Sequence, residues 1–535
     1  MSKPKSAKAL TPFLHQANHG SMDRRSFVTA ALAAGTTIPT ALSLFGKAAS
    51  ANPQKGGTLR IGMADGATSD NWNPAVTNTR YMIHMNHVNR NMLTEITSDN
   101  KLGPELAKSW EASSDAATWT FQLQEGVEFH NGKSFGAQDV VDTLNFHRNP
   151  DTGSAVASLL SSVEDIKADG DSRVTITLSS GNADLPYVMT DYHLCMLPSD
   201  GNGGVEISPI GTGAYMVESH DSGVRTALKR NPNFFKADAA YFDDVVFTSI
   251  SDATARQTAL STRDIDCIDE VDLKTVEFLK RMDGVAIDEA ASSSYASLPM
   301  RMDVAPFDNH DVQMALKYAM DREEWVQKIR RGYATIGNDH PIGPSMPFYA
   351  GDIEQRQYDP EKAKFHLKQA GHENLKIDLH VSDAPFAGGV DACLLYKEAA
   401  LKAGIDVNVV REPNDGYWSD VWNKKPFCLA QWGARPVPDM ILSLVYETGV
   451  AWNESAFSNE RFDKILVEAR AELDEAKRAE LYREMQMIIR DDCGVVVPFF
   501  KNYVYARGSN LQHGPNLTGT WPLDGYKAAE RWWFA

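Results

Sequence analysis

Val495-Val496-Val497-Pro498-Phe499-Phe500 carries the clearest architectural signal in the chain. It is short, β-branched and aromatic, so it reads as a buried strand. It follows a long helical stretch, Ser458 to Asp492, which divides near Asp474 into two helices. Coming there, the strand reads as a crossing that returns the chain from one lobe to another. Upstream lies the matching change of character, at Pro306. After it the helices are long and well capped. Asp311 to Arg331 carries apolar residues at Val312, Ala315, Leu316 and Ala319, with Gly332 as a stop, and is expected to be one helix. Asp359-Pro360 opens a second helix that Gly371 closes, and Val390 to Ala403 ends at Gly404 in the same way. Strands at Leu375–Val381 and Ile405–Val410 lie between them, giving a β-α-β alternation.

Before about residue 300 the pattern differs. Gly56–Met63 reads as a first strand, and Trp119–Leu123 and Arg173–Leu178 alternate apolar with polar residues as half-buried strands do. Asp244–Ile250 is a more buried strand. Strands mixed with short helices suit α/β or α+β layers.

The chain has 535 residues, 43% of them apolar, which is too long for one ordinary core and implies about two or three domains. Near the start, Met22-Asp23-Arg24-Arg25-Ser26-Phe27 precedes an uncharged run from Val28 to Gly46. This is the pattern of a twin-arginine export signal, with a cut expected after Ala51 in Ala49-Ser50-Ala51. The run is short for a bilayer span and contains Gly35 and Pro39. A periplasmic location follows. Cutting removes Lys3, Lys5, Lys8, Arg24, Arg25 and Lys47 against Asp23 alone, so the mature part is more acidic than the −18 of the whole chain. Such a charge disfavours nucleic acid and anionic lipid as partners. Cys195, Cys267, Cys393, Cys428 and Cys493 are widely spaced without a CxxC, which argues against a zinc site; one disulfide stays open.

Catalytic motifs are few. Gly126-x5-Gly132-Lys133-Ser134 has one residue too many for a phosphate loop and carries Glu128 inside, so it reads as a turn. There is no HExxH, G-x-S-x-G or G-x-G-x-x-G. His84 and His87 have no companion at metal spacing and read as packing or surface histidines. No cofactor is expected.

Several segments occur in an ordered series. They are Pro104–Glu111, Thr118–Leu123, Gly126–Phe135 and Ala137–Val141; then Pro209-Ile210-Gly211-Thr212-Gly213-Ala214-Tyr215 and Arg230–Phe235; then Pro306-Phe307-Asp308, Ala315–Arg322 and Tyr358–Ala363. The series resembles the extracellular solute-binding protein family 5 of ABC importers, the family of dipeptide- and oligopeptide-binding proteins. The resemblance spans the chain beyond the signal. It implies an α/β, two-lobed periplasmic-binding-protein fold, class II-like, with an extra subdomain in the first lobe. The expected division is 1–51 signal, 52–297 plus 499–535 first lobe with a subdomain near 93–206, and 298–498 second lobe. It implies a guest held between lobes that close by hinge motion, delivery to ABC permease membrane subunits, and no bond-making chemistry. A monomer is expected. Alternatives are a periplasmic hydrolase using cleft carboxylates, or a sensor subunit presenting ligand to a chemoreceptor.

The expected guest is a peptide, an opine-like conjugate or an oligosaccharide. Gln431-Trp432-Gly433-Ala434-Arg435-Pro436-Val437-Pro438-Asp439 is the leading ligand segment. Peptide-binding relatives often place Asp shortly after the corresponding Trp; here Arg435 stands there and Asp439 is the next acid. Arg301 stands where many relatives carry Asn. Two cleft arginines would favour an anionic ligand, unless Arg301 pairs with Asp303 or Arg435 with Asp439. Trp432, Tyr417 and Trp418 offer rings for stacking. Asn73 and Tyr81 belong to the loop after the first strand, which faces the cleft in this family.

Overall fold

In the computed structural model, residues 53–535 are described; the expected signal and its cut after Ala51 lie outside them. The spine is a ten-stranded sheet whose path runs Ala430–Trp432, Val285–Pro299, Phe499–Gly508, Cys267–Ile268, Thr58–Met63, Asp244–Ser249, Arg225–Arg230 and Tyr215–Asp221. Thr58–Met63 runs parallel to Asp244–Ser249 on one side and to Cys267–Ile268 on the other. Its buried Leu59, Ile61 and Met63 pack with Tyr81, Phe247, Tyr526 and Trp532 into the first lobe's core. Chain start and chain end thus share one core.

Two strands carry the chain between lobes. Val285–Pro299 pairs antiparallel with Phe499–Gly508 from Val285↔Gly508 to Ala291↔Asn502, then shifts register before Tyr295↔Phe500. Past the shift, the same strand pairs through Leu298↔Val496 and Tyr295↔Trp432 with second-lobe segments. The irregularity falls on Ser292-Ser293-Ser294, where a bulge bends the strand. Gly519 lies against this bend: a Cβ there would meet the Ala291 carbonyl oxygen at 1.6 Å, so only glycine fits.

A four-stranded antiparallel sheet, Ala107–Ala112, Thr118–Leu123, Arg173–Leu178 and Val163–Ala168, forms a separate layer. Thr118–Leu123 and Arg173–Leu178 bury every second residue, as their alternation requires. The helix Ala137–Arg148 covers this sheet, and Phe121, Leu123, Val140, Leu144 and Ile176 fill the space between.

In the second lobe, Leu375–Val381 and Ile405–Arg411 are parallel and joined by the helix Gly389–Leu401. Asp359 caps the helix Pro360–Gln369 by accepting from the Lys362 amide. The helices Glu460–Ala471 and Glu475–Asp492 are separated at Asp474, whose carboxylate caps the second. The single helix expected over Asp311–Arg331 is broken. His310–Tyr318 ends at Ala319, a short helix restarts at Arg322 capped by Asp321, and Trp325–Ile329 continues as a wider turn. The break carries Arg322 inward, onto the buried Asp339 carboxylate that also takes Arg356 at 2.9 Å. The turn expected over Gly126–Ser134 is present: Glu128 bridges to Ser134 and Lys133 pairs with Asp139 at 2.9 Å. Gly211 and Gly213 press on the C-terminal end of the helix Arg80–Asn89; a Cβ on Gly213 would meet the Val88 carbonyl oxygen at 2.5 Å. All five cysteines are buried and free. Among the described residues no helix is long and apolar enough to cross a membrane.

Candidate functional site

Between the lobes lies a cavity of about 430 Å³. The first lobe contributes His87, Glu95, Tyr192, Trp521 and Lys527; the second contributes Arg435, Pro436, Met440 and Trp452; Tyr503 comes from a crossing strand. A molecule in this cavity touches both lobes and the hinge.

Arg435 is placed by the serine bend. Its amide donates to Ser293 Oγ at 3.0 Å, the Ser293 hydroxyl donates back to the Arg435 carbonyl at 2.9 Å, and Ser294 Oγ donates to the Trp432 carbonyl. The Arg435 guanidinium bonds only to carbonyls of its own loop, with Nη1 to the Ala434 oxygen at 3.0 Å. No carboxylate lies within ion-pair range of it among the described residues. Asp439 is taken by Arg470 at 3.0 Å and by Ser443.

A largely buried ionic cluster reaches the cavity through Glu95, Glu105 and Lys527. Lys236 meets Glu530 at 2.8 Å and Glu95 at 3.0 Å, Arg531 meets Glu95 at 2.9 Å, and Lys527 contacts Glu105 and Glu530. Burial pushes the Glu95 carboxyl upward, but Lys236, Lys527 and Arg531 outweigh it and hold the group well below its ordinary range. Four carboxylates, Glu95, Glu105, Glu530 and, at 3.4 Å from Arg531, Asp524, face three cations, so the cluster carries no surplus of positive charge. His87, on the helix Arg80–Asn89, has both ring nitrogens buried without a partner. Burial, reinforced by Lys527, drops its pKa well below 6.5. A neutral imidazole there offers one donor and one acceptor to an occupant.

Of the residues expected at the site, Arg435 lines the cavity and the others lie elsewhere. Tyr81 is in a helix, fully buried, with its hydroxyl on Thr226; the apolar spacing of that helix draws it into the core. Tyr417 is buried with its hydroxyl on the Leu429 and His380 carbonyls. Trp432 and Trp422 both donate to the buried Glu454 carboxylate, at 3.0 and 2.6 Å, forming an aromatic wall behind Trp452. Trp418 is 45% exposed on the outer side of that wall. Asn73 caps a short turn through the Ala75 amide. Arg301 is held by Asp303, at 3.0 Å through Nε.

His87, Glu95, Tyr192, Trp521 and Lys527 escaped sequence reading. His87 alone left a trace, as one of two histidines three apart. Lys527 and Glu105 are 422 positions apart, and only the fold joins them.

A model of the bacterial extracellular solute-binding proteins, family 5, middle region, matches residues 101–454. Heme-binding protein A of Haemophilus influenzae is 26% identical over 72% of this chain and 77% of its own length. The dipeptide-binding protein of Escherichia coli is 24% identical over 74% of this chain and 80% of its own. The solved structure of HbpA2 from Haemophilus parasuis has the same fold, with a TM-score of 0.78 at 20% identity over 88% of this chain and 99% of that one. The relatives are named as binding proteins. The expected two-lobed α/β fold and solute-binding role are borne out, and the chain belongs to the bacterial extracellular solute-binding proteins of family 5.

Proposed function

We propose that this protein is the exported binding component of an ABC importer whose guest is a small organic solute carrying an acidic group. The observation that carries the reading is Arg435: a guanidinium without a carboxylate partner, facing a cavity bounded by both lobes. An arginine fork pairs with a carboxylate through two parallel hydrogen bonds, and such bonds strengthen away from water. His87 supplies a neutral donor or acceptor, while Tyr192, Trp452 and Trp521 supply apolar faces. A peptide, an opine-like conjugate or an acidic oligosaccharide meets these demands. The relatives' names, which include dipeptide- and glutathione-binding proteins, favour the peptide class.

The first lobe runs over 52–297 plus 499–535 and the second over 298–498, with the crossings as hinge. Export follows the twin-arginine signal, with cutting after Ala51, so the monomeric mature protein works in a periplasm beside its permease. The protein is not an enzyme. The cavity carboxylates are engaged, Glu95 and Glu105 by cations and Asp191 by the His193 ring at 2.7 Å, and this favours binding over hydrolysis.

A thermal-shift screen of peptide, opine and oligosaccharide libraries tests this. Acidic members raise the melting temperature; a guest at ~100 times its Kd adds about 2.7 kcal/mol. Arg435→Ala weakens the acidic hits by at least about tenfold, ~1.4 kcal/mol. Prolonged incubation returns the guest intact. Unmoved melting across all libraries, or a cleaved guest, overturns the reading.

A further inference from the structure

The cleft has a second compartment. Tyr503 lines the main cavity on one side and, on the other, a pocket of about 180 Å³. Its walls come from both lobes: Arg80, Asp269 and Glu270 from the first, Arg330 from the second, and Lys501 from the crossing strand.

Its charges do not balance. Arg80 is matched by Glu270 at 3.0 Å. Asp269 accepts from the Ala64 amide through Oδ1, while its buried Oδ2 has no partner. Arg330 and Lys501 have no carboxylate within ion-pair range among the described residues. Arg330 Nε is buried without an acceptor, and its guanidinium lies 5.8 Å from the Phe499 ring centre. Lys501 Nζ lies 5.5 Å from that of Tyr503. Cations left this way lose hydration without gaining a direct ion pair. Burial pulls Arg330 down to about 10 and lowers Lys501, outweighing the opposing pull of Glu270 on both, with Arg330 and Arg80 adding to the fall of Lys501. In a chain of net charge −18, an enclosed surplus of positive charge is a local feature that an acidic occupant would neutralise.

We propose that this compartment is a subsite for a second carboxylate of the guest, bound between Arg330 and Lys501, so that the preferred solute is a dianion with one acidic group on each side of Tyr503. This deepens the reading of Arg435 and rests on it. Because Arg330 and Lys501 come from the second lobe and the hinge while Arg80 and Glu270 come from the first, the occupant also bridges the closed form. The aromatic ring between the compartments packs on the linker joining the two acids.

Calorimetric titration with linear α,ω-dicarboxylates from succinate to sebacate, each beside its monoamide, provides the test. Wild-type protein prefers diacid over monoamide by at least about tenfold at one best chain length. Arg330→Gln and Lys501→Gln each abolish that preference while leaving monoamide affinity within about twofold; Arg435→Ala weakens diacid and monoamide together. Melting curves of the unliganded variants verify folding, and Arg330→Lys, which keeps the charge, retains part of the preference. Equal affinity for diacids and monoamides, or variants that keep the preference, overturns the second subsite and leaves the Arg435 reading standing. No binding of either series overturns both.

Discussion

Asp269 shows how the site alters a single residue. It is 1% exposed, and burial pushes its carboxyl from 3.8 up to about 6, with Glu270 adding to the rise and Arg80 and Arg256 opposing it. The folded chain therefore holds a proton there that the unfolded chain has already lost. The resulting stabilisation is complete below the unfolded value and is lost as pH rises through about 6. The difference corresponds to about 3 kcal/mol at most. Asp269→Asn is expected to remove this slope: denaturant melts of wild type and variant between pH 4 and 7, the range that brackets the two values, should converge at the acid end and favour the variant at the neutral end. Parallel curves would show that Asp269 is ionised throughout. Glu454 is a second case. Burial raises its pKa while Trp422, Trp432 and Ser297 donate to it and oppose the rise. Glu454→Ala leaves those buried donors unsatisfied and is expected to cost about 1–3 kcal/mol in a urea melt.

Among the elements, the bent strand Val285–Pro299 matters most, because its serines hold the Arg435 loop. Ser293 both donates to and accepts from the Arg435 backbone. Ser293→Ala removes both contacts, and calorimetry should show acidic solutes binding about three- to tenfold more weakly, ~1 kcal/mol, with little change in melting temperature. An unchanged affinity would mean that the loop holds itself. The crossing strands were legible in outline. The single strand expected over Val495–Phe500 is split at Val497-Pro498 into Val495–Val496 and the start of Phe499–Gly508, because a proline has no amide for a ladder, whereas the alternation in Thr118–Leu123 and Arg173–Leu178 placed those strands correctly. The capping residues Asp359 and Asp474 marked helix starts for a local reason, namely that each side chain bonds an amide two or three residues on. The break after Tyr318 was not legible, because its cause is the buried Arg322–Asp339 pair, a tertiary demand on an otherwise helical pattern. The site was less legible still. Trp432 and Tyr417 have the chemistry of ligand contacts but spend their polar atoms on Glu454 and on backbone carbonyls. Lys501 did leave a signal, a lone cation inside the apolar run Phe499–Ala506, which sequence reading passed over.

Across the whole molecule, the lobes also meet through a buried charge pair. Arg478 of the second lobe contacts Asp184 of the first at 2.7 Å, with side chains only 6% and 1% exposed. Beside them the Ala183 amide donates to the Arg470 carbonyl at 2.7 Å. A charge pair buried only when the lobes touch favours the closed form through its geometry, while opening returns both charges to water. Arg478→Met strands Asp184 in the closed form and is expected to shift the unliganded protein toward open. Apparent affinity for acidic solutes should then fall at least about tenfold, since closing must be driven by the guest alone. An unaltered affinity would mean that this contact is incidental.

An acidic solute is expected to close the two lobes about the strands Val285–Pro299 and Phe499–Gly508. Small-angle scattering of the mature protein, with and without the tightest-binding dicarboxylate of the series, measures it directly. The expected result is a smaller radius of gyration on saturation, and a larger liganded-to-free difference in Arg478→Met than in wild type. Superimposable profiles with and without bound solute in both proteins would contradict it.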